Sequence, residues 1–133
     1  MSFQFINPES LGAPHGYSNG VLTFGGNLLF IAGQVAWNKE QQIVSDDLVA
    51  QFDRALENLI TVVAEAGGQP EQIARLIIYV TDKDDYKQRM KEIGERYRAR
   101  MGRHFPAMVL VEVAGLLDDR ARIEIEGLAV LSV

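Results

Sequence analysis

The chain reads as an α+β protein, a mixed β-sheet with two helices on one face, in the order β-β-α-β-α-β-β. Three observations predict this. Apolar residues recur at helical spacing over residues 48–66 and again over 86–101. Strand-like runs lie before, between and after these two segments. Strand–helix–strand succession then imposes right-handed crossovers, which puts both helices on the same side of the sheet.

The elements follow in order. A leading segment rich in Pro and Gly ends at Gly16, and residues 17–23 read as a strand. Gly25-Gly26-Asn27 reads as a tight turn into a second strand over 28–34, and the polar residues 38–42 as a loop. Leu48, Phe52, Ala55, Leu56, Leu59, Val62, Val63 and Ala66 form one apolar stripe of a helix. Ser45 is its expected cap, Asp46 and Asp47 suit the positive end of its dipole, and Gly67-Gly68 ends it. After Pro70, residues 74–81 read as a buried strand. Tyr86, Met90, Ile93, Tyr97 and Met101 mark a second helix, with Asp82, Asp84 or Asp85 near its start and Gly102 past its end.

Two strand-like runs joined by a polar turn fill residues 105–131. Met108, Leu110 and Glu112 share one face of the first run, and Val109, Val111 and Val113 the other. In the second, Ile123 and Ile125 oppose Glu124 and Glu126. Carboxylates on an otherwise apolar strand are costly to bury unless paired or used.

The 133 residues are expected to form a single domain spanning 1–133. A net charge of -5 argues against a general affinity for nucleic acid, and Arg96, Arg98, Arg100 and Arg103 read as a solvated helix face and loop. With no cysteine there is neither disulfide nor thiolate chemistry. His15 and His104 are isolated, so no metal site and no cofactor are expected, and His15 with Ser18 lacks an acid partner for a triad. The N-terminus carries no signal-peptide pattern and no apolar run could span a membrane, so a cytoplasmic location is expected.

The runs LIIYV (76–80) and VLVEV (109–113) look buried on both sides, yet two helices cover only one face of a sheet. The other face would be a large apolar patch, which self-association would cover.

Three blocks resemble the Rid family (reactive intermediate deaminases, also called the YjgF family) over residues 12–130. They are APHGYSNGV, with Tyr17-Ser18; LLFIAGQV, with Ala32-Gly33-Gln34 where the family usually has Ser-Gly-Gln; and the C-terminal block from Phe105. The resemblance implies a Rid or chorismate mutase-like fold and a homotrimer with small-molecule clefts between subunits. It places Tyr17 at the cleft, the backbone of Gly33 towards the ligand, and Glu124 where the family has an acidic residue that positions water. In members with imine deaminase activity, Pro-Ala is followed by an arginine that grips the substrate carboxylate. Here Pro106-Ala107 is followed by Met108. Ala32 replaces a serine, and Met90 lies near the position of a common asparagine.

Hydrolysing a 2-imino acid needs a carboxylate anchor, a group that orients the nitrogen, and a positioned water. Methionine offers no donor and no charge. Losing an arginine contact to an anion costs about 2–4 kcal/mol, or roughly 30- to 1000-fold in rate. Arg103, Arg120 and Arg122 are candidate substitutes. Glu124 is read either as a residue that activates water or as an interface carboxylate paired with a neighbouring arginine. The expected function is therefore a Rid-type hydrolase or deaminase on a small imine- or enamine-related metabolite other than a 2-imino acid. The alternative is a trimer that binds a small ligand without turnover. The endoribonuclease activity sometimes attributed to the family is disfavoured by the acidic charge.

Overall fold

Leu48, Val49, Phe52, Ala55, Leu56, Leu59 and Val63 all bury on one side of helix α1 (Leu48–Glu65), as their spacing requires. The structure, a computed structural model, describes residues 3–132. Asp47 rather than Ser45 caps α1: its carboxylate accepts the Ala50 N–H at 3.0 Å, while the Ser45 hydroxyl accepts the N–H of Asp47 at 3.1 Å. Gly67, at φ 86°, turns the chain out of the helix.

The other elements are β1 (Gln4–Ile6), β2 (Gly20–Leu22), β3 (Asn27–Gln34), β4 (Ile73–Val80), α2 (Lys83–Gln88), α3 (Met90–Met101), β5 (Ala107–Glu112) and β6 (Ile123–Leu131). The main sheet has the order β3-β6-β4-β5, with β4 and β5 parallel and the other pairs antiparallel. This is an α+β domain with a mixed four-stranded sheet, as the succession of elements predicts.

Two details differ from the sequence reading. The first predicted strand does not form a hairpin with the second. Its core, β2, pairs instead with β1, a strand the sequence reading omits. The longer β3 pairs along β6 from Asn27↔Leu131 to Gln34↔Ile125, a ladder that a three-residue partner could not match. The second predicted helix is also broken in two at Arg89. There the Arg89 N–H is shared between the carbonyls of Asp85 and Tyr86, and its side chain ties to Glu92 and Asp47. Asp82 caps α2 by accepting the N–H groups of Asp84 and Asp85, both at 3.1 Å.

One face of the sheet packs on α1 and α3 through Leu76, Ile78, Val80, Ile123, Ile125 and Ala129. Gln51, fully buried in α1, holds the β5–β6 turn to this core. It donates to the carbonyls of Ser45 and Arg120 and accepts the Arg122 N–H at 2.8 Å. The opposite face is not covered within the chain. Val109 and Val111 are 49% and 39% exposed, and Phe30 on β3 is 73% exposed. The run 109–113 is thus not buried on both sides in a single chain: Leu110 is half-buried and Val109, Val111 and Glu112 are exposed. On the open face the Tyr79 hydroxyl donates to the Glu126 carboxylate, and this bond holds the phenol's proton and raises its pKa.

Candidate functional site

Ser18 determines where Tyr17 sits. The Ser18 hydroxyl donates to the Phe105 carbonyl at 2.6 Å, and its N–H donates to the Pro106 carbonyl at 3.0 Å. These two bonds staple residues 17–18 to the start of edge strand β5, beside Met108. Across from them α3 contributes Met90, Gly94 and Arg98, and α2 contributes Tyr86. Together these residues line a mostly apolar cavity of about 390 Å³. Burial pushes the Tyr86 phenol up to about 12, so it stays protonated at neutral pH.

The structure therefore brings together Tyr17, Met90 and Met108, but not the other predicted site residues. Met108 pairs with Leu76 on the helix-covered face, whereas Glu124 pairs with Tyr79, whose side chain lies on the open face. Ala32 and Gly33 stand with Glu124 in the irregular stretch of β3 between Ile31 and Gln34. The Glu124 side chain crosses directly over Gly33, in the space that a Cβ there would need. Within one chain, two half-sets of residues thus lie on opposite sides of one sheet.

The three arginines considered as carboxylate anchors do not line this cavity. Arg120 pairs with Asp46 at 2.9 Å, and Arg120 and Arg122 line a separate hollow with Asp118 and Asp119. Arg103 lines a hollow with Phe3, Phe5 and His104. Arg98 lines the cavity with Met108, and Arg75 lines a second hollow with Met108 and Tyr17; Arg98 is exposed, as the reading of a solvated helix face expects. Arg96 and Arg100 share a helix face and both pair with Asp53, while Arg98, two residues from each, projects about 200° away. The signal was available: a glycine four residues earlier, inside a helix, marks a place where something needs room.

Other reactive groups are occupied structurally. Ser18 spends its hydroxyl on Phe105, and a ring nitrogen of His104 bonds the Ile73 carbonyl at 2.6 Å. Trp37 packs with Val35, Ile43 and Ala121 rather than at the cavity. Among the described residues no cluster of His, Asp or Glu could hold a metal ion. No described helix is long and apolar enough to cross a membrane.

The fold is similar to a solved structure of a Rid-family protein of unknown function from Yersinia pestis. The TM-score is 0.88 at 34% identity, covering 98% of this chain and 100% of that one. The profile of the family described as Endoribonuclease L-PSP matches residues 8–131. The chain belongs to the Rid (L-PSP) family. A RutC family protein of Pyrococcus abyssi is 33% identical over 131 residues, covering 97% of this chain and 98% of its own length. A 2-iminobutanoate/2-iminopropanoate deaminase of Escherichia coli is 33% identical over 108 residues, covering 79% and 80%. The Rid family thus includes 2-imino acid deaminases, and this member carries the family fold with Met108 in the cavity wall.

Proposed function

We propose that this Rid protein is a homotrimer whose subunits complete one another's clefts, and that these clefts hydrolyse a small imine- or enamine-related metabolite. In this reading Tyr17, Met90 and Met108 of one subunit face Ala32, Gly33 and Glu124 of the next. The observation that carries it is the split: the two half-sets lie on opposite faces of one sheet, so a single chain cannot assemble them. The exposed apolar residues Phe30, Val109 and Val111 supply a surface for the assembly.

The chemistry follows from the groups available. Glu124 takes a proton from a water that adds to the C=N carbon, and the nitrogen leaves as ammonia once it is protonated. No cofactor is required. Similarity to the E. coli deaminase supports the reaction class, while Met108 argues against its substrates. A methionine beside Pro106-Ala107 cannot make the bidentate contact that an arginine makes with a carboxylate. An endoribonuclease role is disfavoured, because Arg96 and Arg100 are already paired with Asp53.

The second reading, a trimer that binds without turnover, draws on the cavity lining, which holds one histidine, His15, and no carboxylate. Assays of ammonia release from a panel of imines and enamines, with Glu124→Gln beside the parent, separate the two. Turnover lost in the folded variant supports catalysis. Turnover that survives it, or that appears with 2-iminopropanoate at the rate of an arginine-bearing relative, defeats the proposal.

A further inference from the structure

We infer that the Met108 cavity takes a small carboxylate with an apolar body, and that Arg98 of α3 grips its charged end. The inference deepens the reading above, since it rests on this cavity being the ligand side of the cleft.

The charge balance of the cavity comes first. Its lining contains one arginine, one histidine (His15) and no carboxylate; the remainder is chiefly aromatic and aliphatic, with Phe52, Tyr86, Ile93 and Phe105 prominent. Neighbouring arginines on the same stretch are paired: Arg89 with Asp47 and Glu92, Arg96 with Asp53, and Arg100 with Asp53 and Glu57. Arg98, an exposed side chain at the rim of this apolar wall, has no carboxylate within ion-pair distance among the described residues. An anion is the complementary ligand.

Gly94 is the second, independent observation. A Cβ at this position would stand 3.2 Å from a terminal nitrogen of Arg98 and 3.9 Å from its guanidinium carbon. The guanidinium therefore lies across Gly94, and both residues line the cavity. Glycine is unfavourable inside a helix. Here it lets the planar cation lie along the wall, close to the apolar floor. A carboxylate gripped from α3 leaves its apolar body to fill the space towards Met108 and Tyr17. This differs from a 2-imino acid held by an arginine on β5, because the charge sits at the end of the ligand held by the helix.

Matched probes test this on the full chain. Calorimetric titration with 4-phenylbutanoate and with 4-phenylbutanamide compares charge at constant shape. The acid is expected to bind about tenfold tighter than the amide, with the gap narrowing as salt rises. In Arg98→Gln the two should bind within about twofold of each other, whereas Arg98→Lys should keep part of the preference. Gly94→Leu, which fills the resting place of the guanidinium, should weaken both. Equal binding of acid and amide by the parent, no binding of either, or a preference that persists in Arg98→Gln would each overturn the inference. An Arg98-dependent preference in a preparation that sediments as monomer would keep it and defeat the intersubunit reading instead.

Discussion

A Cβ placed on Gly33 would stand 1.9 Å from Oε2 of Glu124. The carboxylate thus occupies the volume that any other residue at 33 would claim. β3 and β6 are paired around this point, so the strand backbone cannot simply move aside, and the side chain must yield. Gly33→Ala should turn Glu124 away from its place while leaving the fold nearly intact. Its thermal midpoint should fall by only a few degrees. Ammonia release from an accepted substrate should drop by about tenfold, less than the roughly 100-fold expected for Glu124→Gln. Parallel assays of both variants check this, and full activity in Gly33→Ala would remove Glu124 from the mechanism.

Met108→Arg should raise 2-iminopropanoate deamination. An arginine added to the apolar cavity wall would supply a carboxylate contact valued at about 2–4 kcal/mol, which corresponds to roughly 30- to 1000-fold. The imine can be generated in the cuvette by a dehydratase and its loss followed directly. No gain in a folded variant would show that the cavity wall at 108 does not face the reacting carbon.

Phe30, exposed on β3, is an apolar residue with no cover from its own chain. If the open face joins subunits, Phe30→Asp buries a charge at the interface and should disperse the assembly. Sedimentation at micromolar concentration should show the parent without appreciable monomer and the variant shifted to monomer. A parent that sediments as a well-folded monomer contradicts the assembly outright.

Acid should destabilise the fold below about pH 4.5. Asp53 is held below its ordinary value of 3.8 chiefly by its hydrogen bond from Arg100. The Ala50 N–H and then Arg89 do the same for Asp47, and Arg89 for Glu92, whose ordinary value is 4.5. Each carboxylate is more acidic folded than unfolded, so each contributes stability in full above its ordinary value. As pH falls through the folded values the unfolded chain takes up protons first, and that stability is lost. Melting temperature should be level between pH 5 and 7 and decline below. Asp53→Asn should separate clearly from the parent at pH 7, and the gap should narrow as pH falls below 3.8.

The legible parts of this protein are those whose period repeats. The stripe from Leu48 to Val63 specifies α1 because seven buried residues fall on one side at 3.6 residues per turn. The alternation of Ile123 and Ile125 with Glu124 and Glu126 likewise settles which side of β6 meets the helices. The helix break at Arg89 could not be read, since Lys87, Gln88 and Arg89 are all good helix formers and the break depends on Asp47, far away in sequence. β1 has three exposed residues and no pattern of its own; it exists because β2 offers a partner. At the site, the family resemblance pointed to Tyr17, Met108, Glu124 and Gly33 but could not show that the sheet lies between them. Arg98 is exposed as the sequence reading expects, but spacing could not show that it borders the cavity while Arg96 and Arg100 turn to Asp53.

The Ser18 staple joins points 87 residues apart. A closure of that span forms after the helix–sheet contacts that can be made locally, and it rests on two hydrogen bonds at an edge strand. The mouth of the cavity and the core under α1 therefore belong to cooperative units of different stability. Loss of these two bonds would free residues 15–18 from β5 and carry Tyr17 with them, while Leu56 and Leu59 stayed buried. Only the stapled fraction of molecules is ready to bind, so apparent affinity scales with that fraction. Changes at Ser18, which does not line the cavity, would tune ligand affinity through how often the cavity mouth is assembled.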